Sequence, residues 1–129
     1  MLKKILPLSL LSALLLTGCA TAQFTRLTPL IQPRNTNNVY AVEVAFNSSQ
    51  QSLRWDSIKG YVLVNNGRQV PMRPVLGMAN RWEGYVPVAP SENSVTYRVV
   101  FDYTYNNFGT EPKPDSASSP AYKLTISDQ

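Results

Sequence analysis

From residue 95 to residue 105 the chain reads Val-Thr-Tyr-Arg-Val-Val-Phe-Asp-Tyr-Thr-Tyr. Alternate positions carry Val95, Tyr97, Val99, Phe101, Tyr103 and Tyr105, and the positions between them carry Thr96, Arg98, Val100, Asp102 and Thr104. On an extended backbone successive side chains point to opposite faces, so this pattern makes one apolar face and one largely polar face. A helix would scatter the same apolar set around its whole circumference, because its period is 3.6 and not 2. The segment is therefore a strand that must bury one side.

The period recurs. In residues 39–46 one face holds Tyr40, Val42, Val44 and Phe46, and the other holds Ala41, Glu43 and Ala45. Residues 58–64 read as a further strand. Asn65-Asn66-Gly67-Arg68 follows, and Asn-Gly is a strong signal for a two-residue hairpin turn. Residues 68–75 form the return, and Pro71 and Pro74 assign it to a sheet edge. Residues 81–88 and 122–127 are also strands, the latter with Tyr122, Leu124 and Ile126 on one face, and residues 25–32 open the domain. After Cys19 no stretch of ten or more residues keeps a helical period. About seven short strands, separated by proline and glycine at intervals of about ten residues, predict an antiparallel all-β sandwich of immunoglobulin-like type. A small eight-stranded barrel is the alternative. The chain has one cysteine, so no intersheet disulfide can form.

The chain begins differently. Met1-Leu2-Lys3-Lys4 is a short basic stretch, and residues 5–16 are a leucine-rich run. Twelve helical residues span about 18 Å, well short of the roughly 30 Å hydrocarbon core, so the run fits the apolar part of an export signal and not a permanent span. Leu16-Thr17-Gly18-Cys19 ends it, with two small residues leading to the lone cysteine. This segment resembles the lipobox of bacterial lipoproteins. The resemblance implies cleavage between Gly18 and Cys19, a diacylglycerol thioether on Cys19, and usually a further acyl chain such as palmitate on its new amino group. Several acyl chains anchor far more firmly than one. Residues 1–18 are then the signal peptide, 19–24 the lipidated N-terminus with a short tether, and 25–129 the sandwich. Ala20 is not the aspartate that retains many such proteins at the inner membrane, which points to a domain held at the outer membrane and facing the periplasm or the cell surface. The competing reading is an ordinary secretory signal cut near Ala20-Thr21-Ala22.

Function is harder to read. The sequence contains no histidine, which removes the commonest general base and the commonest metal ligand. A single cysteine makes no thiolate cluster, so neither metal nor cofactor is expected. Of the twelve basic residues, Lys3 and Lys4 lie in the signal; the remaining ten, against eight acidic residues, are dispersed and give no nucleic-acid footprint. The carboxylates form no recognisable pair. Asp102 and Glu83, on outward strand positions, are expected to pair across strands with Arg98 or Arg81. A non-enzyme is expected.

Three aromatics stand out as ligand or partner contacts. Trp55 lies in a polar stretch, where its ring either stacks on a glycan or plugs the end of the sandwich. Trp82 opens a strand and reads as core. The order Trp82, Val86-Pro87-Val88 and then the Tyr- and Phe-rich strand is similar to that of starch-binding immunoglobulin-like modules, a resemblance that carries over no binding residue. Phe108 sits at the base of residues 106–120, a connection longer than a hairpin needs and stiffened by Pro112, Pro114 and Pro120. The expected role is a non-catalytic binding or structural module of the cell envelope, bound to the bilayer through Cys19 and serving a protein partner through residues 106–120 or a sheet edge. Carbohydrate binding on exposed tryptophan is the alternative.

Overall fold

The computed structural model describes residues 22–50, 52–107 and 109–128. Residues 1–18, read from the sequence as a signal peptide, together with Cys19 and Phe108, lie outside the described residues. The described chain forms β1 (Ala22–Arg26), β2 (Ile31–Pro33), β3 (Val39–Ser48), β4 (Lys59–Val64), β5 (Gln69–Pro71), β6 (Arg73–Pro74), β7 (Arg81–Pro87), β8 (Ser94–Asn107), β9 (Thr110–Ser118) and β10 (Tyr122–Ser127), with a single 3-10 turn at Trp55–Ser57.

One sheet has the order β1-β3-β7-β6; the other runs β2-β10-β8-β4-β5, with β9 also paired to β8. These are the A-B-E-D and A′-G-F-C-C′ orders of an immunoglobulin-like sandwich, including the parallel pairing of β2 with β10. Two separate sheets with free edges replace the closed barrel.

The period-2 faces fall where the sequence puts them. Tyr40, Val42, Val44 and Phe46 of β3 pack against Val62 and Val64 of β4, Tyr97, Val99 and Phe101 of β8, and Leu124 and Ile126 of β10, all fully or nearly fully buried. Towards one end an aromatic cluster joins the sheets. The Phe46 and Phe101 rings stack at 4.5 Å, and Phe24 and Trp82 pack on Phe101 at 5.8 and 5.2 Å. The edge of the Phe101 ring lies over Gly60, its register partner on β4, where no side chain would fit.

The sandwich has ten strands and not seven, for three physical reasons. Residues 25–32, read as one strand, are two: β1 starts at Ala22, so residues 22–24 belong to the sheet and not to a tether, and the chain then switches sheets across residues 27–30. There Thr28 exchanges hydrogen bonds with Glu43, its hydroxyl donating to the carbonyl at 3.0 Å and accepting from the amide at 2.7 Å. Residues 68–75 also divide between the sheets, pivoting on buried Met72, whose amide donates to the Gly60 carbonyl at 2.9 Å. Pro71 and Pro74 sit on edge strands as expected.

The third reason is a correction. Most of residues 106–120, read as a loop, is strand β9, which pairs with β8 from Asn107↔Thr110 to Val100↔Ser118. β9 and β10 lie along the same side of β8, at its far and near ends. At the break between them Ser119 is buried, and it both donates its amide to Val99 O and accepts the Val99 amide on Oγ, each at 2.9 Å. A side chain thus completes a ladder where the backbone turns away. The Asn-Gly turn differs too. Asn65 and Asn66 keep negative φ, Gly67 takes φ +92°, and Val64 and Arg68 close a three-residue loop.

Candidate functional site

β8 is paired with β4 only as far as Asp102, and its last residues project past the end of the sandwich. Two segments hold that projection. β9 takes one side. On the other, the Arg54 amide donates to Thr104 O and the Asn106 amide to Ser52 O, both at 2.9 Å, and Leu53 bridges Tyr105. Ser57 completes the seam, its Oγ accepting the Thr104 amide at 2.9 Å and donating to Arg54 O at 2.6 Å.

This seam shapes an open groove of about 660 Å³ on the outer face of the larger sheet, lined by Ser57, Lys59, Asp102, Thr104, Pro114 and Ser116 among others. The register explains its chemistry. Lys59, Asp102 and Ser116 form one row across β4, β8 and β9, and Thr104 and Pro114 form part of the next. An ammonium, a carboxylate and two hydroxyls therefore sit on a backbone fixed by the sheet ladder, with the Ser57 hydroxyl of the 3-10 turn beside them. Lys59, Asp102 and Ser116 are all exposed. A surface of this kind can hydrogen-bond a polar segment or a sugar.

On the reverse side of the same strands, burial pushes the phenol of Tyr103 up from its usual 10.0, and the carboxylate of its register partner Asp115 adds to the shift. Tyr97 is also pushed up by burial, with Thr28 and Arg26 opposing. The Arg26 guanidinium stands 5.9 and 5.4 Å from the centres of the Tyr97 and Tyr122 rings, and its Nη2 donates to Lys123 O at 2.7 Å.

The carboxylates on the outer face of the smaller sheet pair differently from expectation. Glu43 and Glu83 are direct cross-strand partners, a repulsive arrangement by itself. Arg81 pairs with Glu43, and Arg73 Nε donates to Glu83 at 2.9 Å, so Glu83 is held by Arg73 and not by Arg81. Asp102 lies on the register of Lys59 and not of Arg98. Among the described residues no group of three or more metal-ligating acidic or cysteine side chains gathers, and no helix is long and apolar enough to cross a membrane.

The two tryptophans separate. Trp82 faces inward opposite Val44 and packs edge-on to Phe101. Trp55 opens the 3-10 turn and is 49% exposed. Sequence reasoning missed the groove, because Lys59, Asp102 and Ser116 are far apart in the chain and meet only through the β4–β8 and β8–β9 pairings.

No family model and no curated protein matches the sequence. Among solved structures, the chain is similar to a DUF4785 family protein from Legionella pneumophila subsp. pneumophila, with 10% identity and a TM-score of 0.45. That match covers 85% of this chain, which spans 29% of the length of the other.

Proposed function

We propose that the protein is a lipid-anchored lipoprotein of the cell envelope, held at the outer membrane through Cys19, whose sandwich is a non-catalytic binding or structural module for a protein partner. The observation that carries the reading is the sequence Leu16-Thr17-Gly18-Cys19 closing an apolar run, with the first strand beginning three residues later at Ala22. An anchored domain needs no lid or buried acid. What it needs is a rigid surface, and the groove of Lys59, Asp102 and Ser116 offers one whose charged and hydroxyl groups are fixed by strand pairing. The proline-bearing β9 edge is poorly suited to strand addition, so the outer face is the better partner surface.

Metabolic labelling with palmitate tests the anchor: wild type takes up label and fractionates with membranes, and Cys19→Ala does neither. A Cys19→Ala protein that still labels removes the anchor. Lys59→Glu with Asp102→Lys tests the surface by envelope crosslinking; loss of a crosslinked protein supports it, and an unchanged pattern removes the groove from the function.

Exposed Trp55 supports a second reading, glycan stacking. It requires that glucans or peptidoglycan fragments quench fluorescence in wild type but not in Trp55→Phe.

A further inference from the structure

The two ends of the sandwich differ in chemistry. β3 ends at Ser48 opposite Ala22, the first described residue. The same end carries residues 49–50 and 52–58, which lead into the start of β4, residues 75–80, which lead into the start of β7, and the projecting strands β8 and β9. The opposite end is built from Asn35-Thr36-Asn37-Asn38, Asn65-Asn66-Gly67-Arg68 and Ala89-Pro90-Ser91-Glu92-Asn93, loops that are polar almost throughout; the exposed Leu30 and Ile31 lie beside them on the β2 edge of the larger sheet and not on the loops themselves.

The end that holds Ala22 presents large apolar side chains to the outside. Leu76 is 95% exposed, Met78 44% and Trp55 49%. Leu76 is held out by a built turn. The Met78 amide donates to Val75 O at 3.2 Å, Gly77 takes φ +76°, and the Val75 amide donates to Arg81 O at 2.9 Å. With positive φ at its third position this is a type II turn, which needs glycine there. Asn80 then fastens the turn to β3, accepting the Phe46 amide on its carbonyl at 2.9 Å and donating Nδ2 to Asn47 at 2.8 Å. A single exposed leucine is ordinary. A rigid turn that holds Leu76 at its tip, on the end from which the chain leaves toward Cys19, is a different observation.

We propose that this end of the domain is a bilayer-contacting face, with Leu76, Met78 and Trp55 seated in the interfacial layer of the membrane that holds the lipid on Cys19. The inference rests on the lipoprotein reading and goes beyond it by fixing the orientation. Three peptide steps separate Cys19 from Ala22, a reach of at most about 11 Å. A domain tethered that closely, by that end, meets the headgroups with whatever side chains the end carries. Tryptophan favours the membrane–water boundary, and leucine and methionine gain by leaving water. The polar end then points away from the membrane, and the groove of Lys59, Asp102 and Ser116 opens sideways, accessible to a partner.

The test uses the full-length protein made in bacteria, with a photo-crosslinking residue at position 76 or, as control, at position 66 on the opposite end. Cys19 acylation is read separately by palmitate labelling. In the purified mature protein, reconstituted in phosphatidylethanolamine–phosphatidylglycerol vesicles, fluorescence is read with brominated lipid. Position 76 should give lipid adducts and position 66 none. Brominated lipid should quench wild type well beyond Trp55→Phe, and Leu76→Asp with Met78→Asp should cut that difference severalfold without changing the palmitate label. A labelled protein whose position 76 captures another protein, a second copy of itself or nothing overturns the bilayer face and leaves the anchor standing. A protein without label overturns the anchor, and this inference falls with it.

Discussion

The first and second halves of β8 follow one alternation and live in two environments. Val95, Tyr97, Val99 and Phe101 point into a core closed from the other side by β3 and β7, and Tyr97, Val99 and Phe101 are at most 2% exposed. Beyond Asp102 the strand leaves the sandwich. Tyr103 remains buried at its base, Tyr105 is only half-buried, and the partners become β9 and the polar segment before Trp55. The inner half is held by apolar burial, whereas the projecting half is held by ladder hydrogen bonds and the Ser57 hydroxyl. The tryptophans repeat the contrast, with Trp82 in the aromatic cluster and Trp55 on the projecting end. Alternation therefore specifies a strand with an apolar side. What covers that side is a separate matter.

The strongest way to break this division is to remove one ring from each half. Phe101→Ala should cost about 3–5 kcal/mol by urea denaturation, because its cavity opens between two packed sheets. Tyr105→Ala should cost no more than about 1 kcal/mol, and equal losses would show that the hairpin is part of the core. Gly60→Ala comes next. Its new Cβ would stand 2.4 Å from a carbon of the buried Phe101 ring, and a ring so enclosed cannot swing aside. The expected loss is about 1–3 kcal/mol, read as a lowered Tm, and an unchanged Tm would mean that the cluster is looser than its ring distances imply.

Ser119→Ala probes the junction between the halves. It leaves the Val99 amide without its side-chain acceptor in a buried place, for about 1–3 kcal/mol, and hydrogen exchange at Val99 should accelerate. Protection at Val99 equal to wild type would show that the backbone closes the gap unaided. The smallest effect is alkaline. Tyr97 and Tyr103 are both held above the usual 10.0, so the fold keeps their protons more tightly than the unfolded chain does. Their contribution is complete below about pH 10 and is lost as pH rises through the folded-state values. Comparing urea midpoints at about pH 8 and about pH 10.5, Tyr97→Phe and Tyr103→Phe should each flatten the decline, while exposed lysines titrate alike in all three proteins. An undiminished slope in either variant would remove that tyrosine from the account.

The aliphatic and aromatic strands were legible. β3, β4, β8 and β10 are where the sequence puts strands, and in β3, β10 and the inner half of β8 the residues it put on the apolar face point inward, because burial of one face constrains every second residue independently of what lies opposite. β9 was not legible: Thr-Glu-Pro-Lys-Pro-Asp-Ser-Ala-Ser has neither alternation nor strand-favouring residues. It is a strand because β8 outruns its sandwich and offers an unpaired edge. Pro112 and Pro114 are two residues apart, so the side of β9 that lacks both amides can be the side turned away from β8. The division of residues 25–32 was hidden for a similar reason, since apolar content continues through Leu27, Leu30 and Ile31 while the pairing partner changes from β3 to β10. Of the candidate residues, the structure separates Trp55 from Trp82, and the Lys59–Asp102–Ser116 row belongs to no segment of sequence.

By itself the sequence determined that this chain is all-β with two-faced strands, that Pro71 and Pro74 lie on edges, and that Leu16-Thr17-Gly18-Cys19 precedes the domain. These are local properties, set by dihedral freedom, side-chain period and covalent order. Only the tertiary structure decided which sheet each end of a broken strand joins, that β9 extends β8, and that Leu76, Met78, Trp55 and Ala22 share one end. Those are statements about distant segments meeting, and their free energy comes from pairing and burial that no window of sequence contains.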